Sequence, residues 1–217
     1  MNNDLTDNEL SPRERRHQRT HQAILLAAHA IIAEEGINKL SIRAIADRID
    51  YSPASLYEYF GSKEEIVGGV CEQGHRMLKH YLARVDLAHD PADYLVEIGL
   101  AYIDFALQNP DYFVLMFSQT SSLATVDVNT PLPAPLPAEM VSEASSFPIL
   151  LQGVERAVQQ RVVQLLPDTG VLETAYALWA LVHGASMLQI THLKEFPLDF
   201  SATHRAMLRA FVRGLGQ

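Results

Sequence analysis

Cysteine is almost absent: Cys71 stands alone among 217 residues. A single thiol forms no disulfide framework and no thiolate metal cluster, and it fits a reducing compartment. Long apolar runs are missing too, none approaching the roughly 18 residues that a spanning helix needs. The opening MNNDLTDNELSPRERR is polar, first acidic and then basic, without the apolar stretch of a secretory signal. Positive charge is scarce, with 17 Lys and Arg against 26 Asp and Glu and a net charge of -9. Such a chain does not coat nucleic acid or anionic membrane indiscriminately, although a local basic site is compatible with it. No Gly-x-Ser-x-Gly elbow, phosphate-cradling glycine loop or His-Glu-x-x-His pair occurs. These absences lead to the expectation of a soluble, cytoplasmic chain without metal or cofactor.

What is present is helical punctuation around an ample apolar content, 48% of the residues. Ser11-Pro12-Arg13-Glu14 is a capping box with proline at the first helical position, and Gly36 follows the run that ends in Glu34-Glu35. Between them Ile24, Ala27, Ala28, Ile31 and Ile32 form a 3.6-period stripe. Ser41 opens a second helix carrying Ile42, Ile45, Ala46 and Ile49, and Ser52-Pro53 opens a third that should stop at Gly61. Ser62-Lys63-Glu64-Glu65 is another capping box, starting a helix to about Asp86. Asp90-Pro91 and Asn109-Pro110 begin two more, and helices resume over 148–166, 168–193 and 201–215. Between them, residues 118–148 alternate Pro131, Pro133, Pro135 and Pro137, which no helix or central strand tolerates. The reading is all-α with about nine helices, a flexible tail over 1–12 and a long Pro-rich loop over 118–148. Charge divides the chain. Arg13 to Lys63 holds eight Lys or Arg against six Asp or Glu, and Glu65 onward holds nine against sixteen.

The stretch YSPASLYEYFGSKEE, residues 51–65, concentrates aromatic rings in a very short element. At about 100° per residue Leu56 and Phe60 share one stripe, which with Ile42, Ile45 and Ile49 makes a small core. Tyr57 and Tyr59 fall on either side of it, and Ala54, Ser55 and Glu58 face outward. Small residues allow a backbone to approach base edges in a major groove, while flanking hydroxyls reach phosphates. Asp50-Tyr51-Ser52 is a tight turn between two short helices, the spacing of a helix-turn-helix. A three-helix subdomain whose tyrosines merely cap its core would satisfy the same spacing.

The residues LSIRAIADRIDYSPASLYEYFGSKEEIV closely resemble the DNA-binding segment of the TetR family of bacterial transcriptional regulators. Leu56-Tyr57-x-Tyr59-Phe60, followed by Lys63-Glu64, matches the most recognisable part of that pattern, and the resemblance runs over residues 20 to 70. It implies a helix-turn-helix DNA-binding domain over 13–64 and a ligand-binding and dimerisation domain over 65–217. It implies a homodimer, formed through the last two helices, that represses from a palindromic double-stranded operator until a small, largely apolar effector releases it. Carried over residue by residue, Arg43 reaches a base or phosphate, and Ser52, Pro53, Ala54 and Ser55 lie against base edges. Tyr57, Tyr59 and Lys63 clamp the backbone, and Ser41 adds a phosphate contact. The cluster Arg13, Arg15, Arg16 and Arg19 either attracts phosphate generally or is a solvated helix face. Two positions depart from the family pattern: Asp50 stands where glycine is usual, and Glu58 puts a negative charge on the reading face.

ALWALVHGASMLQI, residues 177–190, resembles a TetR subgroup marked by Trp-x-x-x-His-Gly, here Trp179 to Gly184, and NPDYFVLMF resembles that subgroup's sixth helix. The implied effector pocket draws on Tyr102, Phe105, Phe113, Met116, Phe117, Trp179, His183 and Met187; each of these is also a natural core residue. Two rival readings remain. One is an adaptor that keeps the fold but binds another protein. The other is an enzyme using Cys71 and His75, four residues apart, for which no third orienting group is visible. His17 and His21 have metal-ligand spacing, yet nothing nearby completes a site, and solvated helix surface describes them better.

Overall fold

The computed structural model describes residues 11–118, 144–165 and 168–216. Most of the tail 1–12 and of the Pro-rich segment 118–148 lies outside the described residues. Among those described there are nine α-helices and no strand, in agreement with the all-α expectation. They are α1 (Pro12–Glu35), α2 (Ile42–Arg48), α3 (Pro53–Leu56), α4 (Lys63–Ala83), α5 (Pro91–Gln108), α6 (Pro110–Ser118), α7 (Phe147–Gln159), α8 (Val171–Thr191) and α9 (Phe200–Gly214). A 3-10 turn, Ile37–Lys39, links α1 to α2. The chain divides into two compact units, Met1–Gln73 and Gly74–Gln217, and the boundary falls inside α4.

Local chemistry sets most helix ends. Ser11 Oγ accepts from the Glu14 N–H at 3.3 Å while the Glu14 carboxylate accepts from the Ser11 N–H at 2.7 Å, a reciprocal cap. Ser41, Ser52, Asp90 and Asp199 cap α2, α3, α5 and α9 in the ordinary way, each side chain accepting from a first-turn N–H. At α4 the Ser62 hydroxyl accepts from Glu65, but Glu65 reaches one residue further back, to the Gly61 N–H at 2.7 Å. Several spans are shorter than their signals suggest, among them α8, which runs Val171–Thr191 and not 168–193. Regular helix in α3 ends at Leu56, after which Tyr57, Glu58 and Tyr59 donate to carbonyls three residues back. Helix α4 ends at Ala83 and not at about Asp86. Helix α7 stops at Gln159, short of Leu166, because Arg161 takes a φ of 57° and the Val162 N–H turns back to Ala157 at 3.0 Å.

The first unit buries Ile24, Ala28 and Ile31 of α1 against Leu40, Ile45 and Ala46, and against Leu56 and Phe60. Full burial of each large aliphatic or aromatic side chain contributes about 1.5–3 kcal/mol. Ile42 and Ile49, expected in this core, are only half-buried. Outside it, the Arg48 guanidinium forks onto Glu34 at 2.6 and 2.8 Å and holds that carboxyl below the usual carboxylate range.

The second unit is organised on α5, which contacts α6, α7, α8 and α9 and buries ten of its residues over more than half of its circumference, leaving a stripe through Asp93, Asp104 and Gln108 exposed. So wide an apolar face suits a helix that packs against several neighbours at once. Close packing depends on Gly99, where a Cβ would stand 2.9 Å from Leu208 of α9 and 3.3 Å from Val182 of α8. Arg205 of α9 pairs with Glu97 of α5. Although the sequence shows no unbroken apolar run, α8 alone among the described helices has the length and mean hydropathy, 1.2, to cross a membrane. It buries Thr174, Ala175, Leu178, Val182 and Ser186 within the unit and leaves Leu172, Tyr176 and Leu188 exposed.

Two glycines with opposite surroundings test this packing. Gly99→Ala is expected to lower stability by about 1–3 kcal/mol through overpacking at fully buried Leu208. Gly68→Ala, in α4 with open space at its Cβ, should raise stability by about 0.5–1 kcal/mol. Urea denaturation of the two variants beside the parent reads both signs.

Candidate functional site

The turn between α2 and α3 is built by one left-handed residue. Asp50 has a φ of 57°, and the following Tyr51 N–H returns to the Ala46 carbonyl at 3.0 Å, closing a Schellman-type stop. The Asp50 side chain is tolerated there more readily than most, though less readily than glycine. Tyr51 then places its hydroxyl 3.1 Å from Thr20 Oγ1, tying the turn to α1. Ser52 caps α3 and its hydroxyl lies 2.7 Å from that of Ser55, so the two serines bond to each other as well as to the helix start.

Burial of Leu56 and Phe60 turns the opposite face of the segment outward. Pro53, Ala54, Tyr57 and Glu58 are exposed, Tyr57 to 58%, and Ser55 is half-covered. Tyr59 is half-buried because His17 of α1 lays its ring 4.6 Å from the tyrosine ring, tilted by 31°. One turn along α1, His21 stacks on Phe60 at 4.4 Å. The two histidines thus lay their rings on aromatic residues at the end of the Pro53–Phe60 segment. Among the described residues no cluster of three or more His, Cys, Asp or Glu could hold a metal. Lys63 opens α4, half-buried. Arg43 is 86% exposed and only loosely paired with Asp47 at 3.9 Å, an interaction of little energy that leaves the guanidinium available. Ser41 spends its oxygen on the Ala44 N–H. Arg13, Arg16 and Arg19 line the first turns of α1, exposed, with Arg15 half-covered.

A second constellation lies within the other unit. Trp179 Nε1 donates to Tyr102 Oη at 3.1 Å, and that oxygen lies 3.0 Å from His183 Nδ1. Phe113 and Phe117 flank the imidazole with ring centroids at 5.3 and 4.6 Å. Five of the eight expected pocket residues therefore meet around one hydrogen-bonded chain. Phe105 is completely buried behind them, packed on Phe113 and Tyr81. Met116 lies against the α4 backbone, where a Gly74 Cβ would be 2.4 Å from its sulfur. Met187, one turn beyond His183, is half-buried. The sequence reading missed Phe147 and Tyr176, whose rings stand 6.0 and 6.4 Å from Trp179. Burial lowers the His183 pKa and raises that of Tyr102, so both groups are held neutral. Burial also pushes the Cys71 thiol up to about 11, away from the thiolate that the enzymatic reading calls on.

The left-handed turn gives a direct test. Denaturation midpoints should rank Asp50→Gly above the parent and Asp50→Ala below it, the extremes differing by about 1–2 kcal/mol.

Comparison with known proteins agrees with this geometry. The family described as bacterial regulatory proteins, tetR family, matches residues 24–70, from mid-α1 into α4. The tetracyclin repressor-like C-terminal domain matches residues 95–211, more than half of the chain. An uncharacterised helix-turn-helix transcriptional regulator of Bacillus subtilis, YobS, is 28% identical over 94 residues, 43% of this chain. The helix-turn-helix transcriptional regulator UidR of Escherichia coli is 35% identical over 81 residues, 37% of this chain. The matched stretch spans 49% of the Bacillus relative and 41% of the Escherichia relative. A solved protein of unknown function from Rhodococcus sp. RHA1 shares the fold with a TM-score of 0.73 at 21% identity, over 91% of this chain and 95% of its own. With both of its units matched, the chain belongs to the TetR family of bacterial regulatory proteins.

Proposed function

We propose that this protein is a ligand-responsive, DNA-binding transcriptional regulator, acting as a repressor in the cytoplasm. The observation that carries the reading is the outward face of the Pro53–Tyr59 segment: small at Pro53 and Ala54, with Tyr57 beside it in solvent and Leu56 and Phe60 buried behind. A face of that shape enters a major groove, and the exposed Tyr57 hydroxyl, the Tyr59 hydroxyl and the Lys63 ammonium bind phosphate on its walls. Arg43 and Ser41 add contacts from α2, and the exposed arginines of α1 add general attraction. In this reading residues 13–64 recognise DNA, and 65–217 bind effector and dimerise. Trp179-x-x-x-His183-Gly184 supports reading the chain as a member of the corresponding subgroup.

Dimerisation is supported by α8 and α9. Leu172, Tyr176, Ala180, Gly184 and Leu188 follow one another at four-residue spacing along α8, and Leu172, Tyr176 and Leu188 are 38%, 59% and 52% exposed. On α9 the small residues Ala202, Ala206, Ala210 and Gly214 repeat at the same spacing and are exposed. A pair of such helices meeting the same pair in a second copy forms an isologous four-helix contact, and a two-fold dimer reads a palindromic site. An apolar effector bound among Tyr102, Phe113, Phe117, Trp179 and His183 shifts the population toward a conformation that holds DNA poorly. Helix α4, which contains the boundary between the units, is the lever.

Titration against the protein's own upstream DNA at two salt concentrations tests the reading. A sequence-specific complex that weakens with salt is expected. Tyr57→Phe combined with Tyr59→Phe should weaken it about tenfold or more with little change in melting temperature, each lost hydroxyl contact being worth about 1 kcal/mol. Lys63→Gln should reduce the salt slope by about one. Full promoter occupancy by the double phenylalanine variant would overturn the clamp. Independently, Gly184→Leu, whose side chain enters open space within its own chain, should shift sedimentation toward monomer. An unchanged dimer would remove α8 from the interface.

A further inference from the structure

The hydrogen-bond chain in the second unit has a direction, and the direction specifies what the site takes. Indole Nε1 can only donate, and Trp179 donates to Tyr102 Oη. The phenol has a single proton, and the acceptor within reach among the described residues is His183 Nδ1 at 3.0 Å. If Nδ1 carried a proton, two N–H groups would aim at one oxygen and the buried phenolic proton would lack an acceptor. The arrangement that satisfies every group runs from Trp179 through Tyr102 to His183, and it puts the imidazole proton on Nε2. Burial, which disfavours the imidazolium, keeps the ring in this neutral form.

That Nε2–H has no hydrogen-bond acceptor among the described residues. Its ring, the Phe117 ring and the Trp179 ring are only half-buried, whereas Phe113 behind them is fully buried. The Nε2–H opens toward the half-covered side, where a guest can displace water and accept from it. One ring nitrogen is locked by a two-step relay and the other is a fixed donor among aromatic faces. None of Tyr102, Phe113, Phe117, Phe147, Tyr176 or Trp179 brings a charge that could offset a charged guest.

We infer that the effector is a flat, uncharged, aromatic-type molecule carrying a carbonyl-like acceptor oxygen, which accepts from the His183 Nε2–H while its ring lies against Phe117 and Trp179, in front of buried Phe113. The inference rests on reading this unit as the effector domain. A cation would face an N–H dipole of the wrong sign, and a carboxylate would be desolvated without a cationic partner. Tyr102 and Trp179 are positioning residues that fix the tautomer.

Calorimetric titration with acetophenone, ethylbenzene, benzylammonium and benzoate separates these terms, because the first two differ only by oxygen in place of two hydrogens. Acetophenone should bind saturably and about tenfold or more tighter than ethylbenzene, with both ions weaker than acetophenone. His183→Phe, which keeps a ring in place, should abolish the acetophenone preference while ethylbenzene binding persists. Tyr102→Phe should diminish it. Saturable acetophenone binding should also perturb the emission of Trp179, the chain's single tryptophan. The inference is overturned by equal affinities for acetophenone and ethylbenzene, by a preference that survives His183→Phe, by tighter binding of either ion, or by no saturable binding of any probe. Operator occupancy without probe is measured alongside for the parent and His183→Phe. Intact occupancy with failed discrimination defeats the ligand assignment alone; absent occupancy in the parent defeats the regulator reading.

Discussion

Burial of Leu56 and Phe60 is the constraint on which the rest of the first unit depends. Two large side chains one helical turn apart, both almost wholly removed from water, fix the rotation of a segment too short to hold its own helix. With α3 only four residues long, propensity contributes little and tertiary burial supplies nearly all of its order. Once those side chains point inward, Pro53, Ala54 and Tyr57 have no choice but to point out. The local devices then refine the pose: Asp50 turns the chain, Ser52 and Ser55 secure the start, and Tyr51 bonds to Thr20. The function inferred for this face is a consequence of its back being apolar.

Helix α1 does more than fill the core. His17 and His21 lie along Tyr59 and Phe60, while Glu34, near the other end of the same helix, grips Arg48 of α2. One long helix thereby braces both short helices of the reading motif, near opposite ends. A 24-residue helix is stiff enough for that task where a loop would not be. The half-cover of Tyr59 has the same origin: a tyrosine held by a neighbouring ring keeps its hydroxyl in a narrower range of positions than a free one.

In the second unit the same economy of charge is visible on a different scale. Among the described residues, the surroundings of Tyr102 hold a polar chain whose internal members are each satisfied, with no ion pair joined to it. Polar groups are tolerated in such a place when they are paired, and the single unpaired donor falls on the half-covered side of His183. Helix α8 supplies Trp179 and His183 from one side while its i, i+4 row from Leu172 to Leu188 stays outside. In the proposed reading a single helix has one side for a small guest and another for a second copy of the chain, and both sides call for apolar residues.

The helical class, the capped starts, the Leu56–Phe60 stripe and the family were legible in the residues because each depends on neighbours within a few positions. Capping boxes and 3.6-residue periodicity are local properties, and so they survive without coordinates. What the chain alone did not disclose are pairings between residues far apart in sequence: His17 with Tyr59, Thr20 with Tyr51, Glu34 with Arg48, Phe147 with Trp179. Nothing in the order of residues states which helix faces which, and ring stacking or a forked ion pair leaves no periodic trace. The early end of α7 escaped for a related reason, since Arg161 adopts a conformation that glycine usually announces. The sequence alone determined which faces would be apolar; the tertiary structure decided what each face would meet, because burial, and with it the direction of every hydrogen bond in the Trp179–Tyr102–His183 chain, exists only once the helices are packed.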